Sequence, residues 1–213
     1  MMFRAMSKAA LAGIGMVYLL AACASPAQPV PSLPYADDFS NPGSGWETLS
    51  DLSADVRYDG GALRITVKQE NLTQWSVARR RFRDGALEVD ARAVGGPADN
   101  GFGVLFRFVD RKNFYHFEIS SDGYWRAGMM KDGDWQNWND WQPHPAIRGG
   151  DESNRIRVEM QGARFVFYVN GQRIGAQEDS TFGEGDIGVF ALSLIDAPGV
   201  DIAFDNVSVQ PLP

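Results

Sequence analysis

Two acidic residues that could do chemistry, Glu88 and Asp90, flank Val89, a spacing that puts both carboxylates on one face of a β-strand. A pair of carboxylates can cleave a glycosidic bond when the two groups flank that bond. The residues that follow, Arg92 and Ala93, supply no further carboxylate. We therefore favour an exposed strand face of alternating charges over a catalytic pair, and we assign no catalytic residue.

A second polar group combines Arg107, His116, Glu118 and Arg126. If a tight turn at 110–113 joins two strands, Arg107 lies opposite His116, and both share a face with Glu118. The next hairpin would bring Arg126 beside Glu118. These side chains could hydrogen-bond to sugar hydroxyls or to a carboxylated ligand, but they would also suit a salt-bridged outer face of little energetic weight. We favour the salt-bridged face and keep the group as the candidate ligand site.

Four of the six tryptophans lie close together, at Trp125, Trp135, Trp138 and Trp141. Indole rings stack on the apolar faces of sugars, so a cluster of exposed tryptophans is typical of glycan binding. Along an extended strand Trp135 and Trp141 would share a face about 20 Å apart, with Trp138 on the other side. We therefore expect at least one of them in the core, and we include Trp125, Trp135 and Trp141 among the candidate ligand-binding residues.

Metal and cofactor chemistry has little basis in this composition. Asp38 and Asp205 stand near the two ends of the folded region, where paired oxygen ligands could hold a structural Ca²⁺. Capping of turns explains the same residues. With two histidines and one cysteine in the chain, a zinc site or a Cys/His catalytic site is excluded. We expect no required cofactor.

The elements that must position these residues are strands, because apolar residues alternate with polar ones along most of the chain. Asp-Gly and Asn-Gly pairs, which favour hairpin turns, separate the alternating runs. Roughly twelve to fourteen short strands predict an all-β, two-sheet antiparallel sandwich or a closed barrel. The last run breaks register between Phe204 and Val207. The clearest runs are Leu63/Ile65/Val67, Leu87/Val89/Ala91, Phe102/Val104/Phe106, Tyr115/Phe117/Ile119, Ile156/Val158/Met160 and Phe165/Phe167/Val169.

The N-terminal residues 1–22 differ in kind from the rest. Arg4 and Lys8 precede an apolar stretch of about twelve residues, too short to span a hydrocarbon core of about 30 Å. Leu-Ala-Ala then leads directly into Cys23, the only cysteine in the chain. This motif resembles the lipobox of bacterial lipoproteins, which implies a cleaved signal peptide and a lipid anchor on Cys23.

The processed chain would have three parts: the signal peptide 1–22, a lipidated cysteine with a proline-rich linker over 23–34, and a domain over 35–213. Loss of the signal leaves 18 basic and 27 acidic residues, a net charge of −9. An acidic chain of this kind has no electrostatic footprint for nucleic acid. We expect the membrane, reached through the lipid, to be one partner.

Four segments of the domain, in this order, carry a family resemblance: DDFS, GFGVLFRFVDRKNFYHFEIS, NRIRVEMQGARFVFYVNGQRI and VDIAFDNVSV. Together they resemble the concanavalin A-like lectin/glucanase superfamily, in its bacterial laminin-G-like branch with 3-keto-disaccharide hydrolase-like domains. The resemblance implies a jelly-roll sandwich over residues 35–210. Laminarinase-type glucanases of this superfamily carry Glu-x-Asp-x-x-Glu on one strand, and here the last position is Ala93, so that motif is incomplete.

These features favour a cell-envelope lipoprotein with a non-catalytic jelly roll that binds carbohydrate or another polymer. The expected partner is a glycan of the envelope or of extracellular polysaccharide. We expect the outer membrane as its location if the cell has two membranes, and otherwise the outer face of the cell membrane. Two alternatives stay open: a glycan-active hydrolase of the 3-keto-disaccharide type, and a structural module that binds a protein.

Overall fold

The computed structural model describes residues 33–196 and 198–212 of the chain. Within these ranges all the regular secondary structure is β-strand, and none of the described residues forms a helix able to cross a membrane. The strands, in chain order, are β1 (Tyr35–Asp37), β2 (Leu49–Ser50), β3 (Ala54–Asp59), β4 (Ala62–Val67), β5 (Thr73–Phe82), β6 (Gly85–Gly95), β7 (Gly101–Asp110), β8 (Asn113–Ser120), β9 (Tyr124–Lys131), β10 (Asp134–Asn137), β11 (Gln142–Pro143), β12 (Asn154–Gln161), β13 (Arg164–Val169), β14 (Gln172–Glu178), β15 (Gly185–Leu192) and β16 (Val200–Gln210).

The strands form two antiparallel sheets. Sheet A has nine strands in the order β14-β13-β12-β6-β16-β4-β3-β2, and β1 also pairs with β16. Sheet B has seven strands in the order β10-β9-β8-β7-β15-β5, and β11 also pairs with β9. The inner faces pack on each other, as the ring contacts of Phe106 with Phe165 (5.1 Å between centroids) and of Phe117 with Phe167 (4.9 Å) illustrate. The predicted jelly-roll sandwich is confirmed.

Sheet A has one buried face and one polar face, as its alternating sequence predicts. In β12, Ile156 and Val158 are fully buried in the core. Arg155 and Arg157, before and between them, face outward and form ion pairs with acidic residues of β6 and β12. The outer face of sheet A is therefore a charged surface.

Sheet B differs because side chains cover both of its faces. In β8, Tyr115 and Phe117 point into the core, while Phe114 and His116 point outward and are nevertheless fully buried. Burial on both sides explains why β7 and β8 are rich in apolar residues throughout. The apolar part of this outer layer consists of Val77, Leu105, Phe108, Phe114, Met130, Phe190 and Leu192.

The hairpin between β7 and β8 does not keep the predicted register. Asp110 pairs with Asn113 as expected, but Phe106, not Phe108, pairs with Tyr115, because a bulge intervenes. Arg107 lies in this bulge at φ 47°, a backbone conformation that non-glycine residues rarely adopt. Gly185 on β15 makes room for it, since a Cβ there would lie 2.3 Å from the carbonyl carbon of Arg107.

The predicted break of register in the last strand is confirmed. The pairing of β16 with β6 shifts between Asp205 and Ser208, and Asn206 adopts φ 52° there. The bulge returns the following residues to the inner face, so that Phe204 and Val207 are both buried.

Candidate functional site

The strongest site-like feature lies on the outer face of sheet B, where Glu118 and Arg126 pair across β8 and β9. Arg126 donates one hydrogen bond to Oε1 of Glu118, from Nε at 2.8 Å, and its Nη2 forms an ion pair with the same oxygen at 2.7 Å. Oε2 of Glu118 is buried without a protein partner among the described residues. Burial raises the pKa of the Glu118 carboxyl to about 7 in spite of the neighbouring guanidinium, so the group exchanges its proton near neutral pH.

His116 lies beside this pair and is fully buried. Its Nδ1 is 3.5 Å from Oε1 of Glu118 without a hydrogen bond between them, and neither ring nitrogen meets hydrogen-bond geometry among the described residues, although the Asn137 side chain is a polar neighbour of the ring. Burial lowers the pKa of the imidazole to about 3, with Arg126 contributing in the same direction and Asn137 in the opposite one, so the ring is neutral at physiological pH. A buried polar group without a partner needs an explanation, and a ligand is one.

Two glycines make room for these side chains. A Cβ at Gly128, which pairs with His116, would lie 2.8 Å from Nε2 of His116. A Cβ at Gly101 would lie 2.6 Å from Oε2 of Glu118. The absence of a side chain at Gly128 and Gly101 thus leaves space on the sheet for the imidazole and the carboxyl.

Two indoles pack on these polar side chains. We call the five residues together the outer-face cluster: His116, Glu118, Arg126, Trp135 and Trp141. Trp135 packs edge-to-face on His116 at 5.0 Å and remains 41% exposed. The Arg126 guanidinium lies over the Trp141 ring at 4.7 Å, and the Arg126 side chain is 20% exposed. The cluster therefore exposes to solvent an aromatic surface and part of the Arg126 guanidinium. The fully buried side chains of His116 and Glu118 lie beneath them.

The tryptophans divide between the two faces as their spacing predicted. Trp138 stacks on Phe165 in the core, at 6.0 Å and 12° between the rings. Trp135 and Trp141 share the outer face, but not as one extended run, because residues 138–141 lie outside any strand and fold back toward β9.

Trp125 does not belong to the cluster, although the sequence made it a candidate. It is 8% exposed and packs on Phe117 and Phe167 in the core. Its ring fills the space above Gly175, where a Cβ would lie 2.5 Å from Cη2 of Trp125. Alternation places Trp125 on the face opposite Arg126, so one of the two had to be internal.

Arg107 is also elsewhere, and the prediction that it shares a face with His116 is wrong. The bulge turns its side chain toward sheet A, where it is 2% exposed and lies over the Phe165 ring at 4.9 Å. It donates hydrogen bonds to three backbone carbonyls, those of Arg83, Gly162 and Phe182, at 2.6 to 3.2 Å. Arg107 thus joins three loops at one end of the sandwich.

The carboxylates of β6 lie on the outer face of sheet A. Asp90 accepts two hydrogen bonds of 2.8 Å from Arg155, which hold the pKa of the aspartate below its usual range. Glu88 lies 3.6 Å from Arg155 and 3.4 Å from Arg157. Each carboxylate is matched by an arginine on the neighbouring strand, as the interpretation of an exposed charged face predicts.

The described residues contain no group of three or more His, Cys, Asp or Glu side chains placed to hold a metal ion. Asp38 accepts hydrogen bonds from the backbone and hydroxyl of Ser40, and Asp205 accepts one from the backbone of Asn206. Asp38 therefore caps a local turn, whereas Asp205 bonds the backbone at the bulge of β16. Cys23 lies outside the described residues, so the structure does not bear on its lipidation.

Sequence analysis missed one aromatic residue of this face. Trp75 on β5 packs on Phe114 at 5.7 Å, and the Arg111 guanidinium lies over its ring at 5.0 Å. Nε1 of Trp75 is buried without a partner among the described residues. The pairing of Trp75 with Phe190 on β15 places it on this face, and no sequence pattern indicated that pairing.

Several solved structures share this fold at low sequence identity. A carbohydrate binding module, CBM66 from Bacillus subtilis, is 18% identical with a TM-score of 0.59, over 76% of this chain and 93% of that chain. A Bacillus licheniformis beta-glucanase is 12% identical with a TM-score of 0.61, over 84% and 98% of the two chains. A protein described as a native glycosidic hydrolase is 15% identical with a TM-score of 0.64, over 87% and 99%.

At these identities the likeness establishes the fold alone. No curated protein matches this chain in sequence. A sequence model of one family, the 3-keto-alpha-glucoside-1,2-lyase-like domain, does match, and it covers residues 37–210, which is nearly the whole of the sandwich. The chain belongs to the family of 3-keto-alpha-glucoside-1,2-lyase-like domains.

Proposed function

We propose that this chain is a cell-envelope lipoprotein whose jelly roll binds a glycan on the outer face of sheet B without cleaving it. One observation carries the proposal: the exposed Trp135 indole packs on the buried His116 ring, next to the Glu118–Arg126 pair, and Oε2 of Glu118 has no hydrogen-bond partner among the described residues. Hydroxyl-rich ligands need an apolar surface to stack on and a few charged or polar groups placed next to it.

The chemistry of the named relatives supports a sugar as the ligand. The Bacillus subtilis neighbour is named a carbohydrate binding module, and the family of this chain is named for a 3-keto glucoside. Both names refer to carbohydrate. The same outer-face cluster could serve either kind of protein, since binding must precede cleavage.

Replacement of Trp135 by alanine is expected to weaken glycan binding about fivefold, because the stacked ring contributes about 1 kcal/mol. A glycan array with the purified chain identifies the ligand, and calorimetric titration measures its affinity. Tyr168→Ala is the matched control, an aromatic side chain removed from the outer face of sheet A. Normal affinity in Trp135→Ala together with loss of affinity in Tyr168→Ala would show that the glycan binds to sheet A, which contradicts the proposed site.

A second candidate function, lyase chemistry on a 3-keto glucoside, is favoured by the pKa of Glu118. With a pKa at about 7 this carboxyl can accept or donate a proton near neutral pH, whereas His116, with its pKa lowered to about 3, is too weak a base to remove a proton from carbon. In a 3-keto glucoside the ketone acidifies the hydrogen on C2. Removal of that proton and breakage of the bond from C1 to the leaving oxygen, which takes up a proton, would give an unsaturated ketone and a free alcohol.

Access weighs against this second candidate. His116 and Glu118 are both fully buried, so a substrate could reach them only after Trp135 moved aside. Incubation with an aryl 3-keto glucoside separates the two functions. Release of the phenol by the native chain, abolished in Glu118→Gln, would establish lyase activity. Binding of unoxidised glycans with no release supports a binding domain.

We also propose the anchoring that the sequence predicts: lipid on Cys23, with the linker over 23–34 holding the domain at the membrane surface. The support is the position of this single cysteine directly after Leu-Ala-Ala at the end of a short apolar stretch. Two or more acyl chains on one residue would anchor the chain stably. The location follows as the outer membrane in a cell with two membranes, and otherwise the outer face of the cell membrane.

Cys23→Ser is expected to abolish lipid attachment and to leave the precursor with its signal attached. Metabolic labelling with a fatty-acid analogue, followed by separation of membrane and soluble fractions, measures both effects. Ser25→Cys in the Cys23→Ser background serves as the control, because it returns a thiol at a position that does not follow Leu-Ala-Ala. Equal labelling of the native chain and the Cys23→Ser variant would contradict the anchoring.

A further inference from the structure

A second cleft lies on the outer face of sheet B, at the edge formed by β5. It has a volume of about 100 Å³ and is lined by Glu47, Thr48, Leu49, Gln74, Trp75 and Arg111. The cleft is not part of the outer-face cluster, and nothing described so far uses it.

Aromatic rings connect this cleft to the outer-face cluster. The ring centroid of Phe114 lies 5.7 Å from that of Trp75 and 5.8 Å from that of Trp135. The two indoles are therefore at most 11.5 Å apart, the sum of these two steps. A single oligosaccharide could contact both.

Two hydrogen-bond donors of the cleft have no partner among the described residues. Arg111 has no hydrogen bond or ion pair among the described residues, and its one contact of note is the stacking on Trp75. Stacking occupies the face of the guanidinium and leaves the N–H groups around its edge free, in a fork that matches a carboxylate. Trp75 Nε1 is a second donor without a partner.

The one acidic side chain of the cleft is already engaged. Oε1 of Glu47 accepts hydrogen bonds from Nε and Nη2 of Arg79, at 3.3 and 3.2 Å. The cleft therefore offers the free N–H groups of Arg111, while Arg79 already pairs with its one carboxylate. This balance favours an anionic ligand over a cationic one, although the chain as a whole is acidic.

We propose that this cleft is an acidic-sugar subsite, which binds the carboxylate of a uronic acid residue through Arg111 while the ring packs near Trp75. The inference rests on the proposed function, because it extends the same glycan-binding face. It names the ligand class: an oligosaccharide with a uronic acid next to, or near, a residue that stacks on Trp135.

The probes are D-glucuronate and D-glucose, which differ by the C6 carboxylate, and titration of tryptophan fluorescence on the full-length chain in a non-glycosidic detergent gives their affinities. D-glucuronate is expected to bind at least tenfold more tightly than D-glucose. Arg111→Gln should remove most of that preference. Arg173→Gln, which removes an exposed arginine from the outer face of sheet A, should retain it.

Three results would overturn the subsite: no preference for D-glucuronate, no measurable binding of either sugar, or a preference that survives in Arg111→Gln. Failure of the subsite is distinguishable from failure of the proposed function. If an array glycan still needs Trp135 while D-glucuronate has no preference, only the subsite fails. If Arg111 gives the preference while Trp135→Ala binds every glycan normally, the site at Trp135 fails.

Discussion

Replacing Arg107 by alanine is expected to lower the free energy of unfolding by about 3–5 kcal/mol, because several hydrogen bonds of a buried guanidinium and the packing of its long side chain are lost together. Arg107 is 2% exposed, and burial lowers the pKa of its guanidinium, although the group stays charged. Its hydrogen bonds to the carbonyls of Arg83, Gly162 and Phe182 would be lost together.

The loss is large because the alanine variant leaves acceptors without donors. A buried acceptor without a partner costs about 1–3 kcal/mol. The truncation also removes the cation from above the Phe165 ring and empties the space that the long side chain fills. Nothing nearby can substitute, because the bulge holds this backbone at φ 47° and aims one side chain at three loops.

Denaturant unfolding of both chains measures this effect, with Arg164→Ala as the control. Arg164 is exposed and makes no side-chain hydrogen bond or ion pair among the described residues, so its loss should change stability by less than about 0.5 kcal/mol. Should the alanine variant fail to fold, Arg107→Lys is measured instead. Lysine keeps the positive charge but lacks the planar set of N–H donors of the guanidinium, so the free energy of unfolding should fall by an intermediate amount. If neither substitution of Arg107 lowers the free energy of unfolding appreciably, the proposal that Arg107 holds the three loops together is wrong.

The second large effect is a pH dependence of stability that originates from Glu118. Burial raises the pKa of this carboxyl from 4.5 to about 7, so between these pH values the folded chain holds a proton that the unfolded chain releases. The stability that Glu118 contributes is therefore fully present below pH 4.5 and is lost as the pH rises to 7. At about 1.4 kcal/mol per pH unit the loss is about 3 kcal/mol.

His116 acts in the opposite direction and would mask this effect in the native chain. Its pKa falls from 6.5 to about 3 on folding, so the stability it contributes is present above pH 6.5 and is lost as the pH falls to 3. In the window that the two groups share, the two contributions oppose each other. The native chain should therefore vary little in stability over that window.

The difference in unfolding free energy between the native chain and Glu118→Gln isolates the carboxyl, because His116 is present in both. That difference should fall by about 3 kcal/mol from pH 4.5 to 7 and stay level above it. His116→Gln is the complementary variant, whose own stability should fall over the same range. A difference that grows with pH would mean that Arg126 holds Glu118 ionised, and the assignment of a protonated carboxyl would be wrong.

Much of the fold follows from local pattern, because alternation and turn residues act over a few positions. Strands β4, β6, β12, β13 and β16 of sheet A, the break in β16 and the pairing of Glu118 with Arg126 across the Asp122-Gly123 turn could all be predicted. Alternation also separates Trp135 from Trp138, as found.

The rest depends on contacts that are distant in sequence. Arg107 was misplaced because a bulge with positive φ at an arginine has no local signature, and the space for it comes from Gly185 on another strand. Trp75 was missed because alternation defines two faces of a strand but does not decide which one meets the other sheet. For the same reason alternation grouped the polar residues of the outer-face cluster on one face but did not predict that His116 and Glu118 are buried there.

The central claim, that a glycan binds over the outer face of sheet B, is tested most directly by the six indole N–H signals of the ¹⁵N-labelled chain, assigned by single substitutions. Titration with the best array glycan is predicted to move the signals of Trp135 and Trp141. The signals of the core residues Trp125 and Trp138 should stay in place. Movement of the core signals alone, or of backbone amides on the outer face of sheet A with Trp135 and Trp141 unchanged, would contradict the proposed site.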